Sequence, residues 1–182
     1  MEKHREILMG ATRAFEAGGF RGTGVDQILA SSGASTRTLY KHFGSRDGLV
    51  LEVLKERHQE FMRRLEAVDE AADPIGSLFD TLEQWLVQHG ARGCMLLRAH
   101  SEYSSANKDV VALVRQQKRE FAGEIAQRVK KELGHDDGDV ATQVWMIFEG
   151  ATAAASVSDL TVVPVAKNAA SVLLAVAKGQ SK

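Results

Sequence analysis

The sequence predicts an all-α chain: an amino-terminal three-helix domain over residues 1–48 and a larger helical domain over residues 49–182. Three observations carry that expectation. Between Thr23 and Leu49, two short helical runs flank a Ser-Gly-Ala-Ser break, the pattern of a helix, a tight turn and a second helix. Beyond Leu49, successive long segments repeat apolar residues at i, i+3 and i+4. The last two segments carry so few charges that neither has a full polar face.

The first helix is expected from Lys3 to Ala17, with Ile7, Leu8, Ala11, Ala14 and Phe15 forming its buried stripe, and Gly18-Gly19 ends it. Phe20 reads as core. Val25, Ile28 and Leu29 define one face of the second helix, which Thr23 and Asp26 are placed to cap. Gly33 supplies a permissive backbone at the bend, and Ser35 is placed to cap the third helix, Thr36 to Phe43. At 100° per residue, Leu39 and Phe43 fall on one side of that helix, and Arg37 and Lys41 fall almost opposite. Thr38, Tyr40 and His42 lie on the flanks. Charges alone would suit any solvated helix, but after a tight turn this arrangement is what reading the major groove of DNA requires.

This stretch resembles the TetR family of bacterial transcriptional regulators, whose DNA-binding domain carries A/S-G-V-S-x-x-T-L-Y-x-H-F-x-S-K-x-x-L. Matching residues are Gly33, Ser35, Thr38, Leu39, Tyr40, His42, Phe43, Ser45 and Leu49, preceded by Thr23 and Ile28. Leu29 stands where a small Ala is usual, Ala34 replaces Val and Arg46 replaces Lys, so no donor or cation is lost. The resemblance covers residues 1 to about 55. It implies a DNA-contacting set of Thr23, Ser35, Thr36, Arg37, Thr38, Tyr40, Lys41, His42 and Arg46. It also implies a homodimer on a near-palindromic double-stranded DNA operator, most often a repressor, released by a small-molecule effector.

After Gly44-Ser45 a long helix is expected to about Val68, apolar at Leu49, Val50, Val53 and Leu54 and more polar through KERHQEFMRRLEAV. A weak boundary spans Asp69 to Pro74, and Pro74 suits a helix's first turn. Ile75, Leu78, Phe79, Leu82, Trp85 and Leu86 then keep helical spacing until His89-Gly90-Ala91-Arg92-Gly93 interrupts. A short helix over Cys94 to Tyr103, a long one over Lys108 to Leu133, and two closing helices over Val140 to Val157 and Pro164 to Ala177 complete the chain. The closing pair lacks polar surface, so a second copy of the same helices is its expected cover, with Ala154 and Leu173 in the contact. The resemblance implies the same four-helix dimer contact.

Composition is ordinary, 44% hydrophobic and 26% charged. The net charge of −1 conceals an asymmetry, because residues 1–64 hold 11 Lys and Arg against 8 Asp and Glu, and the remainder holds 12 against 16. The cationic excess lies with the turn motif. No apolar run approaches the ~20 residues of a membrane span, and the amino terminus carries acidic residues unlike a signal peptide, so a soluble, cytoplasmic protein is expected. A single cysteine, Cys94, excludes an intrachain disulfide.

Within the larger domain the resemblance implies an effector cavity among the middle helices, with Trp85, His89, Met95, Arg98, His100, Tyr103, Trp145 and Phe148 as its candidate lining. The apolar members of that set suit ordinary core as well. Cys94 opens a helix, where aligned N–H groups favour a thiolate, so a thiol-sensing regulator stands as the alternative, beside a ligand-free DNA-binding protein. No spacing of histidines, cysteines and acids matches a metal motif, and no cofactor is expected. A glycine-rich phosphate loop, a Gly-x-Ser-x-Gly elbow and a His-Glu-x-x-His helix are all missing from the sequence, so an enzyme is not expected.

Overall fold

The computed structural model describes residues 2–67 and 73–180. Among them, nine α-helices follow one another: α1 (Glu2–Gly18), α2 (Val25–Leu29), α3 (Thr36–Phe43), α4 (Arg46–Ala67), α5 (Gly76–His89), α6 (Met95–Tyr103), α7 (Lys108–Leu133), α8 (Gly138–Ala155) and α9 (Val162–Gln180). The expected boundary from Asp69 to Pro74 lies, as far as residue 72, outside the described residues. Two compact units form, one from Met1–Gln59 with Met95–Gln116 and the other from Glu60–Cys94 with Gln117–Lys182. This division differs from a boundary after residue 48. It falls within α4 and α7, and α6 joins the first unit because Met95, Ala99 and Tyr103, spaced i, i+4, i+8, share a core with Ile7, Phe15, Leu39 and Leu49.

In the first unit, Ile7, Ala11 and Phe15 on α1 are fully buried. Helix α2 is only five residues long, and its first turn is held by Gln27, whose side-chain oxygen accepts from the Gly24 N–H at 2.9 Å. Thr23, the expected cap, does not perform that task. Its hydroxyl donates to the Gly19 carbonyl at 2.6 Å, and the residue is 4% exposed. The turn into α3 needs positive φ at Gly33 (59°), and the exit needs it at Gly44 (71°), where a side chain would be strained. Ser35 caps α3 as expected, its hydroxyl accepting from the Thr38 N–H at 3.2 Å. The fully buried Leu49, Val50, Val53 and Leu54 of α4 complete this core.

The second unit is built around aromatic side chains. Phe61 lies 5.1 Å from Trp85 and 5.8 Å from Phe121 between ring centroids, and Phe148 lies 4.8 Å from Phe121 and 5.9 Å from Phe79. Arg128 is the one fully buried cation among the described residues. It bonds Glu124 at 2.7 Å, Ser77 Oγ at 2.7 Å and the carbonyls of Pro74 (3.1 Å) and Leu65 (3.0 Å), which together offset its loss of water. Helix α5 starts under Asp73, which accepts from the Gly76 N–H at 2.7 Å. Asp137 caps α8 in the same way, accepting from Val140 at 3.0 Å.

Helices α8 and α9 keep one apolar line outside. On α8, Met146, Ala153 and, just past its end, Val157 are exposed; on α9, Val165, Ala169, Val172 and Val176 are exposed. Ala154 and Leu173, the positions expected in a contact, are half-buried beside these lines. Helix α9 is also long and apolar enough to cross a membrane by length and composition, contrary to the sequence expectation that no run approaches that length. Lys167 and Lys178 are its only described charged residues.

Candidate DNA-reading surface and effector region

Helix α3 divides as its sequence dictates. Leu39 and Phe43 are buried, whereas Thr36, Arg37, Tyr40, Lys41 and His42 are exposed, Thr38 half so. Among the described residues, Arg37 and Lys41 have no hydrogen-bond or ion-pair partner, which leaves both cations available to an external anion. The Ser35 and Thr38 hydroxyls lie 2.9 Å apart at the start of the helix. His42 meets His4 of α1 edge-on at 5.6 Å, and His4 stacks on Phe43 at 4.6 Å and bonds Glu52 at 2.7 Å, so α1 braces the far end of the helix.

Two members of the expected DNA-contacting set are turned inward. Thr23 is committed to the Gly19 and Ala14 carbonyls. Arg46 reaches the Phe20 carbonyl, the Thr23 carbonyl at 3.0 Å and the Tyr103 hydroxyl at 2.9 Å, and its guanidinium lies 5.6 Å from the centre of the Phe15 ring. A guanidinium has five donors in a fixed fork, and here three bonds from its two terminal nitrogens go to the protein's own acceptors. Thr23 and Arg46 are therefore structural supports of the turn.

The expected effector lining is distributed over both units. Three of its members belong to the first unit, Met95 and Tyr103 buried in its core and Arg98 half-buried. Arg98 donates to the carbonyls of Phe15 (3.0 Å) and Glu16 (3.3 Å) at the end of α1, where a cation complements the helix dipole. Tyr103 is 3% exposed, and burial raises its phenol above the ordinary range despite the lowering pull of Arg46. The terminal nitrogens of Arg98 are thus bonded to α1 and the Tyr103 hydroxyl to Arg46 of α4, while Arg98 Nε is buried without a hydrogen-bond partner among the described residues. His100 also lies in the first unit, half-buried.

Trp85, His89, Trp145 and Phe148 belong to the second unit. Arg64 sits 4.9 Å over the Trp85 ring and bonds Glu60 at 2.8 Å, and His89 lies 4.2 Å from Trp85 between ring centroids and 3.5 Å from Glu60. This brings an aromatic wall, a cation, an anion and an imidazole together. Trp145 packs on the same core, with its buried indole N–H lacking a hydrogen-bond partner among the described residues.

Cys94 precedes α6 and is half-buried. Near it, Lys118 forms a 2.5 Å ion pair with Glu149. Burial pulls the Lys118 ammonium toward deprotonation, but its interactions with Cys94 and Glu149 together hold its pKa above the ordinary value. Among the described residues, no group of three or more His, Cys, Asp or Glu side chains is arranged to hold a metal ion.

Sequence reasoning missed the supports of α6 and α1: Arg98, Glu102 and His4. A signal for α6 was present in the Met95, Ala99, Tyr103 spacing, which marks a buried face, but spacing does not say what covers it.

Residues 7–53 match the sequence profile of the bacterial regulatory proteins of the tetR family. The HTH-type transcriptional regulator LmrA of Bacillus subtilis (strain 168) is 33% identical over 75 residues, a stretch covering 40% of this chain and 40% of LmrA. A TetR-family transcriptional regulator from Streptomyces coelicolor shares the fold with a TM-score of 0.90 at 23% identity, over 98% of this chain and 91% of its own. The reduced form of E. coli NemR does so with a TM-score of 0.77 at 17% identity, over 92% and 95%. At these identities the structural likeness is one of fold, and it extends over nearly the whole chain. Residues 7–53 thus carry the sequence pattern of the tetR family of bacterial regulatory proteins, and the all-helical architecture of TetR-family regulators extends over nearly the whole chain.

Proposed function

We propose that this protein is a cytoplasmic transcriptional repressor that grips a near-palindromic operator as a homodimer and releases it when a small molecule binds in the second unit. The observation that carries DNA binding is the outer face of α3, where Arg37 and Lys41 stand exposed without a partner among the described residues. An arginine there suits bidentate contact with a guanine edge, and a lysine one turn on suits a phosphate. The exposed apolar lines of α8 and α9 support a two-fold dimer, and two copies are what a palindrome demands.

The aromatic cluster of Phe61, Trp85, Phe121 and Phe148, edged by Arg64 and His89, supports an effector region for a largely apolar molecule with a polar end. Helix α4 takes part in both units, which supports coupling of effector to operator. A coupling of about 1–3 kcal/mol weakens operator binding ~5–150-fold, and linkage requires operator to weaken effector binding equally. Genomic footprinting with the full chain tests the reading. The expected sites carry two half-sites separated by one DNA turn or a multiple of it, and the absence of enriched sites would refute it.

A second reading, a thiol-sensing regulator, is favoured by the half-buried Cys94 lying within reach of the Lys118 ammonium, which is paired with Glu149. An operator titration with and without a thiol oxidant separates the two. The second reading expects an oxidant-dependent loss of binding that Cys94→Ser removes.

A further inference from the structure

We propose that Glu102, on α6 and outside the segment shared with the family's DNA-binding sequence, is a positioning residue for DNA recognition. The proposal rests on the DNA-binding reading above. Helix α1 ends at Gly18, and the chain must turn sharply to begin α2 at Val25. Gly19 takes a φ of 77° to do so, and the next two N–H groups have no helix of their own to bond to. Both are met by one carboxylate: Glu102 Oε1 accepts from Phe20 at 3.2 Å, and Oε2 accepts from Arg21 at 2.7 Å.

The opposite side of the same turn is held by a cation. Arg46 donates to the carbonyls of Phe20 and Thr23, and to Tyr103 on the next position of α6 after Glu102. Four residues before Glu102, Arg98 holds the last carbonyls of α1. The α1–α2 turn is thus clasped by charge-assisted bonds, with its donors on an anion and its acceptors on a cation. Helix α2 and the tight turn after it place α3, so the direction of the recognition helix depends on this clasp. Without the carboxylate the turn has two unmatched donors and more than one way to settle. Glu102 therefore acts on DNA through Phe20 and Arg21, with no contact of its own to the duplex.

Electrostatics makes the test decisive. Glu102 is an anion in the DNA-reading unit, so neutralising a mere bystander leaves duplex affinity unchanged or raises it. A positioning role lowers it. The experiment uses full-length wild type, Glu102→Gln and Glu102→Ala, with a duplex selected by the wild type from random sequences and an unselected duplex of equal length. The expected result is an approximately tenfold loss of affinity for the selected duplex in Glu102→Ala, a smaller loss in Glu102→Gln, which keeps one acceptor, and less than a twofold change for the unselected duplex. Circular-dichroism melting identifies the folded fraction, and if Glu102→Ala melts early the near-isosteric Glu102→Gln decides. Unchanged or increased discrimination between the duplexes in folded Glu102→Gln and Glu102→Ala would overturn the proposal. Failure of the wild type to enrich any duplex would instead overturn the DNA-binding reading beneath it.

Discussion

Helix α3 and the α8–α9 pair each keep one face exposed among the described residues, and the two surfaces are opposite in kind. Arg37, Tyr40, Lys41 and His42 project from the first; Met146, Val157, Val165, Val172 and Val176, between 53% and 88% exposed, project from the second. Exposed cations retain their water at little cost and wait for an anion, whereas an exposed apolar line is unfavourable at roughly 25 cal/mol per Å² until something covers it. In the proposed function, similar exposure serves different partners: a polyanion for α3 and an apolar surface, met by symmetry in a second copy, for α8–α9.

Substitutions on one face should spare the function of the other. The largest effect is expected at the apolar face. Val172→Asp brings an unpaired carboxylate from each copy into the contact, so sedimentation should show the dimer weakened roughly a thousandfold, about 4 kcal/mol. Full-operator binding should fall with it, and the melting transition of the helices should move little. A dimer that survives the change would place the contact elsewhere.

At the cationic face, Arg37→Ala should cost about 1–3 kcal/mol per half-site in operator titrations, with sedimentation unaltered. Ser35→Ala removes the cap of α3 and should lower stability by about 1 kcal/mol in denaturant unfolding. The smallest change is expected for Lys41→Ala, which should flatten the slope of log K against log salt by about 0.9 per phosphate contact, or ~1.8 per dimer, while preserving base preference. A Lys41 variant that alters base preference would reverse the roles assigned to the two cations.

The two faces also differ in how plainly the sequence announces them. The outer side of α3 was legible because its pattern is local: Leu39 and Phe43 fix which side is buried, and Arg37 and Lys41 follow by helical geometry. The lack of polar residues on α9 was equally local, although the outward positions proved to be Val172 and Val176, with Leu173 between them half-buried. Thr23 and Arg46 misled for a physical reason. A hydroxyl or a guanidinium beside a DNA-reading turn serves either DNA or the turn itself, and the acceptors that claimed them belong partly to distant residues such as Tyr103. The effector lining divided for the same reason. Helical spacing showed that α6 buries Met95, Ala99 and Tyr103, but which helices cover that face depends on long-range packing.

If α3 reads base sequence from its outer face, base preference must change when Arg37 is removed. Wild type and Arg37→Ala, each at full length, are titrated against a set of duplexes in which every base pair of one selected half-site is changed in turn. Wild type should discriminate among changes at every contacted position, and Arg37→Ala should lose discrimination at one position while keeping the ranking at the others. An unchanged ranking across the whole set would contradict base reading by α3.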